Sequence, residues 1–338
     1  MIRTKTAVIV GAGAAVEIEL PGQREMLSRI AQGYDFQRLG SDLATQDMQD
    51  FDTLFRKVKG KAEDLREAAL RIRAGARLSS SIHALLQQHG DDKHVLAAGK
   101  LAVAYYTLKA EEQSAMAAEP RDPGDMPFRG VENWLFQLGR MVVDGVARSR
   151  AEHCLDNLHI VNFNTDRAIE HYMPWVLHSG FGMPVTEAQD LCAEKLKVVH
   201  PYGRAGRLEW EKGSEAEAGW GDDNQRNLFK VAEGIRTMAD LVEDRQFKAS
   251  LTGGINNARR LLFIGFDFNS LDTSLLFQER LSHAPDTLVA LPEAEQGKAE
   301  TIRRVLRTHG GIAAEALAVF HVGQSWQMLS DNGLLIES

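Results

Sequence analysis

The sequence predicts an α/β protein: a parallel sheet of about six strands, with a large helical insertion after the first strand and helix. Three observations carry that expectation. Short apolar runs recur at Thr6 to Val10, Leu158 to Phe163, Leu196 to Val199, Leu261 to Gly265, Thr287 to Leu291 and Leu317 to Phe320. Most lead into helix-like stretches, the pattern of strands covered on both faces by crossover helices. Roughly 145 residues separate the first two runs, whereas a strand-helix-strand unit needs only about 30.

The first run ends in Gly11-Ala12-Gly13, a turn whose small residues let a phosphate approach backbone N–H groups at a helix start. The third glycine of a dinucleotide fingerprint would fall at Val16, and no acidic residue ends a nearby second strand, which counts against an ordinary dehydrogenase. The expected insertion is helical. Phe51, Leu54, Phe55 and Val58 share one helix face; Val95 to Leu108 is rich in Ala, Leu and Val; and Trp134, Leu135, Leu138, Met141 and Val142 form a further stripe. Pro120, Pro123, Pro127 and two glycines make Ala117 to Gly130 a loop. We therefore expect residues 1–40 and 153–338 to form one discontinuous nucleotide-binding domain, and residues 41–152 to form the insertion, either a lid or a subunit interface. Arg204 to Asn224, Gly-rich and acidic with Trp210 and Trp220, reads as a surface excursion.

Composition narrows the function. The 338 residues are 44% hydrophobic, enough for a substantial core. No run approaches the roughly 20 apolar residues that cross a bilayer, and the first residues enter a strand without a signal-peptide core, so a cytoplasmic protein is expected. A formal charge of -8 argues against direct nucleic-acid binding, which depends on neutralising phosphates. Cys154 and Cys192 stand alone, so no disulfide framework and no thiolate zinc site is expected.

The second apolar run closes with Asn164-Thr165-Asp166, and the third runs into His200-Pro201-Tyr202-Gly203. An amide, a carboxylate and an imidazole thus stand at strand ends, where open α/β sheets bind ligands. Asn164 and Asp166 also suit capping of the helix expected from Arg167 to Leu177, and a lone histidine after a strand is often structural. His171 and His178, seven residues apart on that helix, face core or solvent more readily than a metal.

Gly11 to Arg24 resembles the opening motif of the sirtuin superfamily without a gap: both glycines, Glu17, Pro21 and Arg24 coincide. Phe163 to Asp166 resembles that family's Thr-Gln-Asn-x-Asp, and Val199 to Gly203 its catalytic-histidine segment with one residue added. Leu261 to Asp272 is similar to its strand, glycine and adenosine-binding loop. The departures matter as well. Ala15 replaces a serine, Gly22-Gln23 replace an Asp-Phe pair, and the four zinc-binding cysteines of the deacetylases are missing.

The resemblance is therefore to the zinc-less sirtuin-like branch of bacterial anti-phage defence proteins. It implies a Rossmann-like sheet and hydrolysis of NAD, as substrate, to nicotinamide and ADP-ribose, without zinc. By the same resemblance Asp166 holds the nicotinamide amide, Asn164 positions ribose or water, and His200 is a general base. Gly11, Ala12, Gly13, Glu17 and Arg24 would hold phosphates and shape the pocket, and Gly265, Phe266 and Asp267 would hold the adenosine half. Implied partners are further copies of the chain and a co-encoded ATPase or nuclease or a phage-derived trigger. Two alternatives stay open: an NAD-dependent protein deacylase or ADP-ribosyltransferase, and an inert NAD or ADP-ribose sensor.

Overall fold

A computed structural model describes residues 2–118, 120–122, 124–222, 227–312 and 318–337. Six strands form one sheet: β1 (Thr6–Val10), β2 (Leu158–Asn162), β3 (Val198–Val199), β4 (Arg260–Ile264), β5 (Asp286–Leu291) and β6 (Ala318–Val322). All neighbours pair parallel in the order β3-β2-β1-β4-β5-β6. This is the order of doubly wound dinucleotide-binding folds, in which a crevice opens at the carboxyl edge where the winding reverses, here between β1 and β4. The expected α/β, Rossmann-like class is what the chain adopts. Among the described residues no helix is long and apolar enough to cross a membrane.

Central β1 and β4 are buried at every residue because helices cover both their faces. The strands at the two edges are half-exposed: β3 shrinks to two residues, since Leu196 caps the preceding helix, and β6 extends through Val322. Leu317, where the last strand was expected to begin, lies outside the described residues, as does Pro123 in the expected loop. Register places Val10 opposite both Asn162 and Ile264, and Val161 opposite Val199. Gly11, Phe163, His200 and Gly265 therefore all leave the sheet at one edge.

After β1 come α1 (Ala12–Glu17), α2 (Gln23–Gly33), α3 (Gln46–Lys57), α4 (Ala62–Gly75), α5 (Ile82–Gln88), α6 (Lys93–Gln113) and α7 (Trp134–Val143) before the chain returns as β2. Side-chain caps explain several of these starts. Thr45 accepts from Met48 N, Ser81 from Ala84 N, Asp92 from His94 N and Val95 N, and Asn133 from Phe136 N. Helix α6 buries residues all round its length, as a helix enclosed by others must, and α2, α4 and α5 pack on it.

Three hydrophobic cores result. One lies on each face of the sheet; the third is helical and centred on α6, with Phe51, Leu54 and Phe55 of the predicted stripe fully inside it. This helical core also takes in Leu27 and Ile30 of α2, Tyr34 just after it, and residues such as Ala205, Leu228 and Ile235 from beyond β3. Helix α7 instead packs on the sheet, and its Trp134 indole donates to the Ala14 carbonyl at 2.8 Å. The helical layer is thus stitched to the sheet on both sides of the β1 turn.

Candidate functional site

At the carboxyl edge a narrow cleft, partly open to solvent, lies between the β1 turn, the β2 loop, the start of α2 and the helices α5 and α6. Of the catalytic and cofactor-binding candidates from the sequence, Ala12, Asn164 and Asp166 line it, with Pro21, Gly22 and Gln23 of the opening motif.

Asn164 is held from three sides. Its backbone N–H donates to Asn162 Oδ1 at 3.0 Å, its side-chain Nδ2 donates to the Gly11 carbonyl at 3.1 Å, and its own carbonyl lies 2.9 Å from His200 Nδ1. These bonds tie the loops after β1, β2 and β3 together through one residue. Asp166 is buried at the start of α8 (Ala168–Phe181), and its Oδ1 accepts from Ala168 N at 3.1 Å. Asp166 thereby meets one N–H of the helix start, although the N-cap position itself falls on Arg167, whose side chain makes no capping bond, and the Asn164 side chain bonds to Gly11 instead. Burial pushes the Asp166 carboxyl up to about 6, helped by Glu111 and Glu170 nearby and opposed by the Ala168 N–H and by His200.

His200 meets Asn164 but does not line this cleft. Its Nε2 lies 2.8 Å from Glu170 Oε1, and Arg204 Nη1 approaches the same oxygen at 3.3 Å. Burial works against charge on both partners, but the mutual attraction of imidazolium and carboxylate outweighs it. The His200 imidazole is shifted up and the Glu170 carboxyl down. Because a carboxylate only accepts and a carbonyl only accepts, both ring nitrogens carry protons in this arrangement. An imidazolium with both protons donated has no lone pair with which to act as a general base. The ring instead borders a second, highly charged cleft with Arg204, Glu211 and Arg236.

The glycine turn also works differently from the phosphate cradle expected of it. Gly11 N donates to the Ile264 carbonyl and Gly13 N to the Gly265 carbonyl, both at 2.9 Å. Those two amides are consumed in joining β1 to β4. A Cβ on Gly11 would stand 2.5 Å from the Gly265 oxygen, and one on Gly265, which adopts φ +59°, would overlap Ala14 N. The small residues let two backbones cross. Ala12 alone of the three faces the cleft.

The remaining sequence candidates disperse. Glu17 Oε1 accepts from Ser325 N at 2.8 Å, so it caps a C-terminal helix. Arg24 is exposed on α2, beside cleft-lining Gln23. The Phe266 ring packs among Phe163, Phe263 and Phe268, and exposed Asp267 accepts from Asn269 N and Nδ2. His171 stacks on Trp220, and His178 bonds the Met183 carbonyl. Among the described residues no group of three or more His, Cys, Asp or Glu side chains is placed to hold a metal.

Several residues at the site had no local signal. Arg167, fully buried, donates through its backbone N, Nε and Nη2 to Glu111 of α6, and through Nη1 and Nη2 to the carbonyls of Ala218 and Gly219. The stretch expected to be a surface excursion is thereby anchored inside, with Ala205, Leu208 and Ala218 buried; Asp223 and Asn224 lie outside the described residues. Thr165 Oγ1 and Thr107 Oγ1 of α6 are 2.9 Å apart. Tyr202 donates to Asp272 at 2.5 Å and stacks on His83 at the start of α5. Asp272, within Ser270–Leu276, is pushed by burial up to about 6.

The fold defines a doubly wound α/β protein, and helices between β1 and β2 contribute to the wall of the cleft at its carboxyl edge. No protein-family model matches the chain, and no curated protein matches it.

Proposed function

We propose that the cleft binds NAD+ and hydrolyses the bond between its nicotinamide and ribose. One observation carries this reading: Asn164 and Asp166, from the end of β2, share a cleft with Ala12 of the β1 turn in a sheet wound as dinucleotide-binding sheets are. The motif resemblance around the same residues supports it. In the reaction the anomeric carbon–nitrogen bond breaks, its electron pair neutralises the pyridinium ring, water oxygen bonds the anomeric carbon, and one proton is released.

Such a cleavage passes through an oxocarbenium-like state, which a nearby carboxylate favours. Asp166 is the carboxylate in the cleft. Its position suits holding the nicotinamide carboxamide and stabilising the developing charge. Asn164, with its backbone fixed by His200, suits orienting a ribose hydroxyl or the attacking water. His200 then acts as a positioning residue behind Asn164. Among the described residues no lysine or arginine lines the cleft, so it matches the nicotinamide-ribose half better than the diphosphate; exposed Arg24, next to Gln23, is the sequence candidate for the phosphates.

By the same resemblance, the reading extends to a cytoplasmic effector of anti-phage defence that depletes NAD, working as a homo-oligomer under a co-encoded ATPase or nuclease or a phage-derived trigger. Purified protein incubated with NAD+ should release nicotinamide, and Asn164→Ala and Asp166→Asn should suppress the release. Absence of release by wild type in every assembly state would overturn the proposal. The engagement of both His200 nitrogens favours a second reading, an NAD or ADP-ribose sensor. Binding of either molecule without cleavage, and unaltered in His200→Ala, would establish that reading instead.

A further inference from the structure

The insertion is more than a cover, because it supplies Ser81, Ile82 and His83 from one segment and Val103, Thr107 and Ala110 of α6 to the wall of the cleft. Within that set His83 is chemically distinct. Its ring stacks face to face on Tyr202, with centroids 3.8 Å apart and planes within 10°. Tyr202 is itself fixed by its bond to Asp272. The imidazole is thereby held in one plane, from the side of the His200 loop.

Yet His83 Nδ1 is buried with no hydrogen-bond partner among the described residues. Leaving a polar atom so costs on the order of 1–3 kcal/mol, so such atoms call for a ligand or another reason to persist. Burial also pushes the imidazole down to about 3, so at neutral pH the ring is uncharged and offers one donor and one acceptor. That pair matches a neutral group able both to give and to take a hydrogen bond, a hydroxyl or a carboxamide. It does not match a phosphate, which calls for cations that this wall lacks.

We propose that His83 is a substrate-contacting specificity residue, by which the helical insertion recognises a hydroxyl or carboxamide of the nucleotide bound in the cleft. The inference rests on the NAD reading of that cleft and adds a role for a segment far from the sirtuin-like motifs. Without a side chain from the insertion, the sheet edge alone would present only Asn164, Thr165 and Asp166 as polar side chains towards the ligand, with Gln23 from α2.

The test compares wild type with His83→Phe, which keeps an aromatic ring against Tyr202, and His83→Gln, which restores a donor and an acceptor. Three readouts are taken: thermal midpoint, KM and kcat for NAD+, and Kd for ADP-ribose by calorimetry. We expect His83→Phe to fold with a midpoint at or above that of wild type, because it removes an unpartnered polar atom. It should raise KM about ten- to a hundredfold, the loss of a hydrogen bond to a buried polar group, with kcat less affected and partial rescue by Gln; Kd for ADP-ribose should rise in step where the contact is a hydroxyl and hold where it is the carboxamide, which ADP-ribose lacks. A wild type that cleaves NAD+ alongside a His83→Phe with unchanged KM and Kd overturns this inference and leaves the hydrolase reading standing. A wild type that binds NAD+ without cleaving it overturns the hydrolase reading, and the Kd for NAD+ of wild type and His83→Phe then decides the role of His83. A wild type that neither binds nor cleaves overturns both.

Discussion

His200 Nε2 stands 2.8 Å from Glu170 Oε1, both side chains almost wholly buried, while Nδ1 of the same ring reaches the Asn164 carbonyl. The pair therefore fixes the backbone of the residue that lines the cleft. Removing one member of a buried ion pair strands the other charge, at a typical cost of about 3–5 kcal/mol. Glu170→Gln should lower the free energy of unfolding by about that amount in urea titrations, and His200→Ala should cost less when made in the Gln background than in wild type.

The pair also sets a pH window. Glu170 is held below its ordinary 4.5, so its share of stability is complete above 4.5 and is lost as pH falls through the lowered value. His200 is raised above its ordinary 6.5, so its share is complete below 6.5 and is lost as pH rises through the raised value. The difference in stability between wild type and Glu170→Gln should therefore peak between pH 4.5 and 6.5. A difference that stayed flat from pH 3 to 9 would exclude an ionised pair.

Asp166 has the opposite sign. The unfolded chain releases this proton near 3.8, but burial keeps it on the folded protein until about 6. Across that interval the folded state binds the extra proton, so stability falls as pH rises from 3.8 to 6. A shift of that size corresponds to roughly 2–3 kcal/mol, and Asp166→Asn, which cannot ionise but can still accept from Ala168 N, should escape the loss. Relative to wild type the variant should gain about that much between pH 4 and pH 7, measured by denaturation. On the proposed function the same substitution should cut nicotinamide release by about a hundredfold or more, and wild-type release should fall as the medium is acidified below about pH 6.

Much of the fold was written in local pattern. All six apolar runs became strands because each is short, apolar and stopped by Gly, Asn, His or Pro, and the stripes of Phe51 and Trp134 became buried helix faces. Strand order was not legible, since parallel pairing is decided by how crossover helices pack and not by any residue in the strand. At the site, Asn164 and Asp166 reach one cleft because a strand end dictates where they go. Glu170, the third residue of α8, looked like any first-turn acid. Glu111 and Arg167 are joined only through space, across the whole return from the insertion to β2. Gly11 and Gly13 show a different limit: a backbone crossing and a phosphate turn demand the same residue, so composition cannot separate them.

That crossing can be ranked by substitution. A Cβ at Gly265 would overlap the Ala14 amide and also force a left-handed backbone, φ +59°, on alanine. At Gly11 it would meet the Gly265 oxygen at 2.5 Å, and at Gly13 the nearest atoms are 2.9 and 3.0 Å away. Gly265→Ala should therefore be the most destabilising, then Gly11→Ala, then Gly13→Ala, with strain of order 1–3 kcal/mol at the first from the backbone alone. Thermal midpoints of the three variants test the order. A phosphate cradle without the crossing would instead leave Gly265→Ala mild.

Arg167 and Glu111 bind the insertion to the sheet, and both side chains are fully out of solvent. Arg167 spends its planar fork on one carboxylate and two carbonyls at once, a geometry that a lysine ammonium cannot reproduce. Glu111→Gln and Arg167→Met should each destabilise by about 3–5 kcal/mol, Arg167→Lys, which keeps the charge but not the fork, should cost less, and the loss should be local first. Helix α6 would loosen from the β2 loop, where the Thr107–Thr165 hydroxyl contact would remain beside apolar packing. Amide hydrogen exchange should then quicken in α6 and in residues 205–222 before it quickens in β1 and β4, whose ladders do not depend on the pair. Replacing both partners together by Leu and Met should cost less than either single change, because no charge is left buried alone. A double variant as unstable as the sum of the singles would mean that the pair contributes through its packing and carbonyl bonds rather than through its charge.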